Sequence, residues 1–199
     1  MLEGLLAGDE QCFAALVDEC QPLVGQVVRC LAPDSVAAEE AVTKAWIDLV
    51  EGLDDAEGCS SVRAWAIRRL LSHATARWGS GLRSVWPSEA SEGPAVHPER
   101  FLPDDHATHP GHWATPVSPW TGNLEAHLGT AELRGLLREA IDALPPCQRA
   151  VVTLRDARGW SPAEVSYALG LSAAGQRAQL NRARSTLRFA LEASIGVAA

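Results

Sequence analysis

No run of apolar residues in this chain is long enough to cross a membrane, and Met1 is not followed by the charged and apolar stretches of a secretory leader. The chain is therefore expected to work in the cytoplasm, with no membrane partner. Paired cysteine motifs are missing too: Cys12, Cys20, Cys30, Cys59 and Cys147 are an odd number without metal-ligand spacing. In a reducing compartment they are expected to be small core residues. No stretch alternates apolar and polar residues as a half-buried strand does. Paired carboxylates, a nucleophile motif and a phosphate-binding loop are all lacking, so neither a catalytic residue nor a cofactor is expected.

Positive charge is scarce as well. Lys and Arg number 17 against 25 Asp and Glu, a net charge of −8 that argues against a generic nucleic-acid binder. The imbalance is uneven. Residues 1–78 hold 6 basic and 13 acidic residues, residues 79–130 hold 2 and 6, and residues 131–199 hold 9 and 6. Only the last part, at +3, is drawn to phosphate as a whole.

What is present is helical pattern, with 47% hydrophobic residues to build cores. The strongest stretch is Ser161 to Arg188. Ser161 suits an N-cap, Pro162 the first helical position and Glu164 the third residue of a capping box. Val165, Ala168 and Leu169 share one face, and Gly170 can end the helix in the left-handed region. Ser172 then caps a second helix from Ala173, with Leu180, Ala183 and Leu187 as its buried stripe. Two short helices joined by a Gly-containing turn read as a helix-turn-helix. The second helix carries Arg177, Arg182, Arg184 and Arg188, with Gln176, Gln179 and Asn181 among them. Such side chains reach phosphates and base edges in a major groove.

Upstream, Leu2 to Ala7 reads as a short helix, followed by a longer one that Pro22 should kink or break before it resumes over Leu23 to Leu31. Asp34 or Ser35 caps a helix over Val36 to Leu53, with Val42, Trp46, Leu49 and Val50 as its apolar stripe. Gly52 to Ser61 reads as a polar loop. A helix over Ser61 to Trp78 carries Arg63, Arg68, Arg69, His73 and Arg77. This local basic concentration either balances nearby carboxylates or meets a nucleic-acid backbone, with Trp65 either stacking on a base or lying in the core.

Residues 79–130 lose all periodicity and contain Pro87, Pro94, Pro98, Pro103, Pro110, Pro116 and Pro119. They read as a long acidic linker, and Phe101, Trp113 and Trp120 suggest that it lies along a surface. His97, His106, His109 and His112 cluster there, but no fixed spacing supports a metal site. Leu124 to Ala143 and Cys147 to Ala157 read as helices separated by Pro145-Pro146. The fold class is all-α: two small helical domains, residues 1–78 and 131–195, joined by the Pro-rich linker 79–130.

The order of these motifs resembles the extracytoplasmic-function sigma factors of bacterial RNA polymerase. LPPCQRAVVTLRDARGWSPAEVSYALGLS followed by LNRARSTLR resembles their region 4. AEEAVTKAWIDLV and VRAWAIRRLLSHATAR resemble region 2. The resemblance implies a sigma subunit that binds core polymerase through its beta' clamp and beta flap, and that recognises and opens promoter DNA. It implies polymerase contacts at Glu39, Glu40, Val42, Thr43 and Trp46. Downstream-element contacts are implied at Asp54, Gly58, Ser60, Ser61, Arg63, Trp65, Arg68 and Ser72. Upstream-element contacts are implied at Ser172, Gln176, Arg177, Gln179, Asn181, Arg182 and Arg184. An anti-sigma factor is a further implied partner. The terminal Ala198-Ala199 resembles tags read by AAA+ proteases. Ala174, Gly175 and Gln176 depart from the small-Thr-Val start usual for the family's recognition helix. The competing readings are a stand-alone helix-turn-helix regulator, against which the acidic first domain argues, and a metal enzyme using the linker histidines.

Overall fold

The computed structural model describes residues 2–76, 78, 102, 107, 108, 114 and 131–195. Arg77, the linker histidines and aromatics, and Ala198-Ala199 fall outside them. The described residues form eight α-helices and no strand.

Four helices make the first group: α1 (Leu2–Leu6), α2 (Glu10–Arg29), α3 (Ser35–Glu51) and α4 (Val62–Ala76). Asp9 caps α2 by accepting from the backbone N–H of Gln11, at 2.8 Å, and of Cys12. Asp34 caps α3 by accepting from Ala37 N–H at 2.8 Å. These are helix starts that satisfy donors otherwise left without partners. The expected break at Pro22 does not occur: α2 runs through it. Proline removes one ladder bond, but Pro22 sits on the exposed face. Leu16, Cys20, Leu23, Val24, Val27 and Val28 keep the other face in the core.

The stretch between α3 and α4 is more structured than a polar loop. Leu53–Ala56 form a 3₁₀ turn, and Ala56 is fully buried. Arg69 of α4 pairs with Asp55 at 2.7 Å and lies over the Trp65 ring, so the turn is tied to the helix behind it. Glu57 to Ser60 follow without being tied back in this way, with Gly58 at φ 78°, where a side chain is strained.

The second group is α5 (Ala131–Asp142), α6 (Pro146–Val152), α7 (Pro162–Leu169) and α8 (Ala173–Ile195). Pro146 occupies the first turn of α6, where its missing N–H costs nothing. A π-type turn, Thr153–Ala157, ends α6. Arg155 donates to the Trp160 carbonyl and fixes the bend into α7. The capping box at Ser161 and Glu164 is complete in both directions, and Gly170 takes φ 68°. Ser172 accepts from Gly175 N–H at 2.9 Å and starts α8.

The two groups touch, and their buried residues join in one cluster. Helix α4 lies against α7, and α2 meets α6. Trp160 is fully buried at this junction. Burial of a side chain of this size contributes on the order of 2–3 kcal/mol. Of the cysteines, all free, Cys20 and Cys147 are core residues as expected, Cys12 and Cys59 are half-buried, and Cys30 is exposed. Burial pushes the Cys20 thiol up to about 12, so it is an inert packing group.

Candidate nucleic-acid interface

The helix-turn-helix presents one outer face of α8. Ser172, Arg177, Asn181 and Arg184 are exposed there. Their spacing from Arg177 to Asn181 to Arg184 is the three-to-four step that keeps side chains on one helix face. Arg184 is held by Asp156 through a bidentate pair, 2.9 Å from Nε and 2.6 Å from Nη2. The Asp156 bonds raise the Arg184 pKa. Arg182 is half-buried.

Gln176 and Gln179 do not belong to this face. They are 1% and 3% exposed and lie on the stripe of Leu180, Ala183 and Leu187. The reason is geometric: positions 176, 179, 180, 183 and 187 repeat at 3.6-residue spacing and all turn inward. Polarity suggested a DNA contact, but the period places both amides inside.

The first group offers a second candidate face on α4 and the turn before it. Asp54, Gly58, Ser60 and Ser72 are exposed, and Ser61, Arg63 and Arg68 are half-buried. Trp65, 7% exposed, is a core residue and cannot stack on a base in this arrangement. Arg63 and Arg68 are engaged by the second group. Arg63 pairs with Glu164 of α7 at 3.0 Å and with Glu19 of α2 at 3.4 Å, and its guanidinium lies 4.7 Å from the Trp160 ring. Ser61 donates to the same Glu164 oxygen at 2.8 Å. Arg68 donates to the Tyr167 carbonyl at 2.9 Å and covers the Tyr167 ring. Glu19 also accepts from Trp160 Nε1 at 3.3 Å, and Arg158 donates to the Glu19 carbonyl.

Glu164 is thus shared. The Ser161 backbone N–H, then Ser61, the Ser161 hydroxyl and Arg63 lower its pKa against the opposing effect of burial, and hold it at about 2. The other basic groups of α4 also have acidic partners: Arg69 has Asp55, and His73 lies 3.1 Å from Asp48.

On α3, Glu39, Glu40 and Thr43 are exposed, as a partner surface requires, and Thr43 Oγ1 donates to the Glu39 carbonyl. Val42 is a core residue. Trp46 is half-buried, packs edge-on against Phe13 at 5.8 Å and donates to Gln21. Val50, expected in the buried stripe, is exposed, as are Val36 and Ile47. These three extend the Glu40–Thr43 face with apolar surface. The helical period from Val36 to Thr43 to Ile47 to Val50 was the signal for them. In the second group, Leu137, Ile141, Val152, Leu187 and Leu191 line an open apolar groove of about 570 Å³.

Comparison with known proteins matches this geometry to one class. Residues 134–187, which hold the helix-turn-helix, match the family Sigma-70, region 4. A curated relative, the probable RNA polymerase sigma factor RfaY of Xanthomonas campestris pv. campestris, is 29% identical over 182 residues, 92% of this chain. The chain spans only 41% of that relative's length. The sigma factor RpoE of Bartonella quintana, solved with the anti-sigma factor NepR, shares the fold at a TM-score of 0.50 and 19% identity. That likeness covers 92% of this chain and 98% of the other. Residues 134–187 thus carry the signature of sigma-70 region 4, and the chain as a whole is similar to a probable sigma factor. Among the described residues no helix is long and apolar enough to cross a membrane.

Proposed function

We propose that this chain is a sigma subunit that directs core RNA polymerase to specific promoters and opens them, acting in the cytoplasm by binding rather than by catalysis. The observation that carries the reading is the pairing of two surfaces in one chain: an exposed Arg177–Asn181–Arg184 face on a helix-turn-helix, and a serine- and arginine-bearing face on α4. A stand-alone regulator needs only the first. The division follows: residues 1–78 meet polymerase and the downstream element, 79–130 link, and 131–195 meet the upstream element.

In the second part, α8 enters the major groove. Arg177 and Asn181 read base edges, and Ser172 and Arg182 hold the backbone. Arg184, already paired with Asp156, presents its remaining donors to a phosphate. In the first part, Glu39, Glu40 and Thr43 with Val36, Ile47 and Val50 form the clamp-facing surface of α3. The groove between α5 and α8 takes the beta flap. An anti-sigma factor covers the same surfaces. Asp54, Gly58, Ser60 and Ser72 border the opened strand, and Arg63 and Arg68 hold its phosphates through charge-assisted bonds.

The acidic turn cannot attract a strand by charge, so a flipped base must be held by shape and backbone donors around Gly58. Because the Leu53–Ala56 turn is anchored by buried Ala56 and by the Asp55 pair with Arg69, the test is confined to the residues after it. Replacing Glu57 to Ser60 with a Gly-Ser segment of equal length should leave core-polymerase binding intact and abolish strand opening. Permanganate footprinting on a cognate promoter reads the result. Thymines that stay reactive with the altered chain would remove base capture from this turn.

A further inference from the structure

Arg69 follows Arg68 on α4, about 100° further around the helix, and its guanidinium is taken up by the turn between α3 and α4. Asp55 accepts from it at 2.7 Å, and the Trp65 ring, one turn back on α4, lies 5.6 Å away. The third side is Gly52, the residue at which α3 ends and the 3₁₀ turn begins. A Cβ at Gly52 would fall 2.0 Å from an Arg69 nitrogen and 2.6 Å from its central carbon. The Gly52 φ of −112° lies outside the left-handed region, so the close approach rather than the conformation calls for glycine. The C-terminal end of α3 carries partial negative charge, and its last turn has no basic residue of its own. Arg69 supplies one from the neighbouring helix. An exposed ion pair alone contributes little. A planar cation held at once by a carboxylate, a ring and a helix end fixes direction as well as distance.

The turn braced in this way leads directly into Glu57 to Ser60. Those residues hang on it by backbone bonds, from Glu57 N–H to the Asp54 carbonyl and from Cys59 N–H to the Ala56 carbonyl, each at 3.1 Å. Whatever tilts the turn tilts them. We propose that Arg69 is a positioning residue for strand opening: it acts through Gly52 and Asp55 on the Leu53–Ala56 turn, and so aims Glu57 to Ser60 at the flipped base, without touching nucleic acid itself. This rests on the reading of that turn as the site of base capture. Helix α4 thereby divides its arginines, with Arg68 turned to the strand and Arg69 to the protein.

The test uses holoenzyme assembled from core polymerase and the full chain, on the strongest promoter that the parent selects from a genomic library. The probe is aminopurine, a fluorescent base that brightens on leaving the stack, placed in turn at each downstream-element position. Arg69→Gln removes the charge, and Gly52→Ala displaces the guanidinium while leaving Arg69 in place. Each should keep the parent's helix content in circular dichroism and its affinity for core polymerase. Each should lower the flipped-base signal and the open-complex yield at least roughly tenfold, as small misplacements of a working group do. The two changes combined should cost no more than the larger single one, because both act through one brace. A template whose downstream element is already unpaired should restore transcription. If Arg69→Gln proves unstable, Arg69→Lys keeps the cation and loses the plane, and a smaller loss of the same signals is expected. Loss of helicity or of polymerase affinity in step with opening makes Arg69 a fold residue and overturns the proposal. So does an additive double variant, or a defect that persists on the unpaired template. Normal opening by Arg69→Gln and Gly52→Ala, with opening still lost when Glu57 to Ser60 are replaced, overturns the role of Arg69 and leaves base capture standing. Normal opening by all three removes base capture from the turn, and the role of Arg69 with it.

Discussion

Arg177 and Gln176 are neighbours in sequence with opposite environments. Arg177 stands in solvent on the outer face of α8. Gln176 is 1% exposed, and its Nε2 has no hydrogen-bond partner among the described residues. An unsatisfied buried amide costs about 1–3 kcal/mol. Gln176→Leu is therefore expected to leave promoter choice unchanged and to hold or raise stability, by up to about 1 kcal/mol in chemical denaturation. Arg177→Ala should do the reverse: stability unchanged, with a loss of about 1–3 kcal/mol in promoter binding and relaxed choice at one base pair. Transcription from a promoter library separates the two. If Gln176→Leu alters base preference at constant stability, the inward orientation of this residue is wrong.

At the scale of elements, the sequence was most legible where the signal is local. Ser161, Pro162, Glu164 and Gly170 mark the start and stop of α7 through caps that involve only neighbouring residues, and the structure reproduces each of them. Asp34 does the same for α3. Legibility failed where the deciding partner lies far along the chain. Nothing near Leu53 to Ala56 says that Ala56 is buried. Nothing near Glu164 says that Arg63, about a hundred residues away, will share it. At Pro22 the helix does not break for the same reason, since a core face contributed by other helices outweighs one lost ladder bond.

Glu164 gives this scale its own measurement. Its pKa lies at about 2, below the ordinary glutamate value of about 4.5. A depressed carboxylate stabilises the folded form above its unfolded value, and that contribution is lost as pH falls from about 4.5 towards about 2. The stability of the parent should therefore fall more steeply over that window than that of Glu164→Gln. Equal slopes in thermal unfolding across the window would mean that the shared carboxylate is not linked to folding.

For the whole molecule, the joined core predicts how the chain comes apart. Val151, Leu154 and Trp160 belong to the same buried cluster as Leu16, Cys20 and Leu70. At low salt the described helices should unfold in one cooperative transition, since each group covers part of the other's core. The polar ring of the junction, Arg63 with Glu164 and Glu19, is only partly shielded, so its pairs weaken as ionic strength rises. At high salt calorimetry should resolve two transitions. A single unchanged transition from low to high salt would assign the union of the groups to apolar contact alone.

The bonds across this junction have one property that bears on time. Between the two groups, the described hydrogen bonds run from a side chain to a side chain or to a carbonyl, and none joins backbone to backbone. The Ser161 cap of α7 is closed within α7 itself. Separation of the groups therefore unwinds no helix and leaves no helix start unsatisfied. Its rate is set by rearrangement of a few side chains and by rigid-body drift, on the order of microseconds to milliseconds. A local refolding step would be slower. On the proposed function, wherever encounters with polymerase come more slowly than that, the chain exchanges many times between them. Each encounter would find the chain having sampled its alternatives many times over, so the speed of promoter engagement reports populations and not the crossing between them.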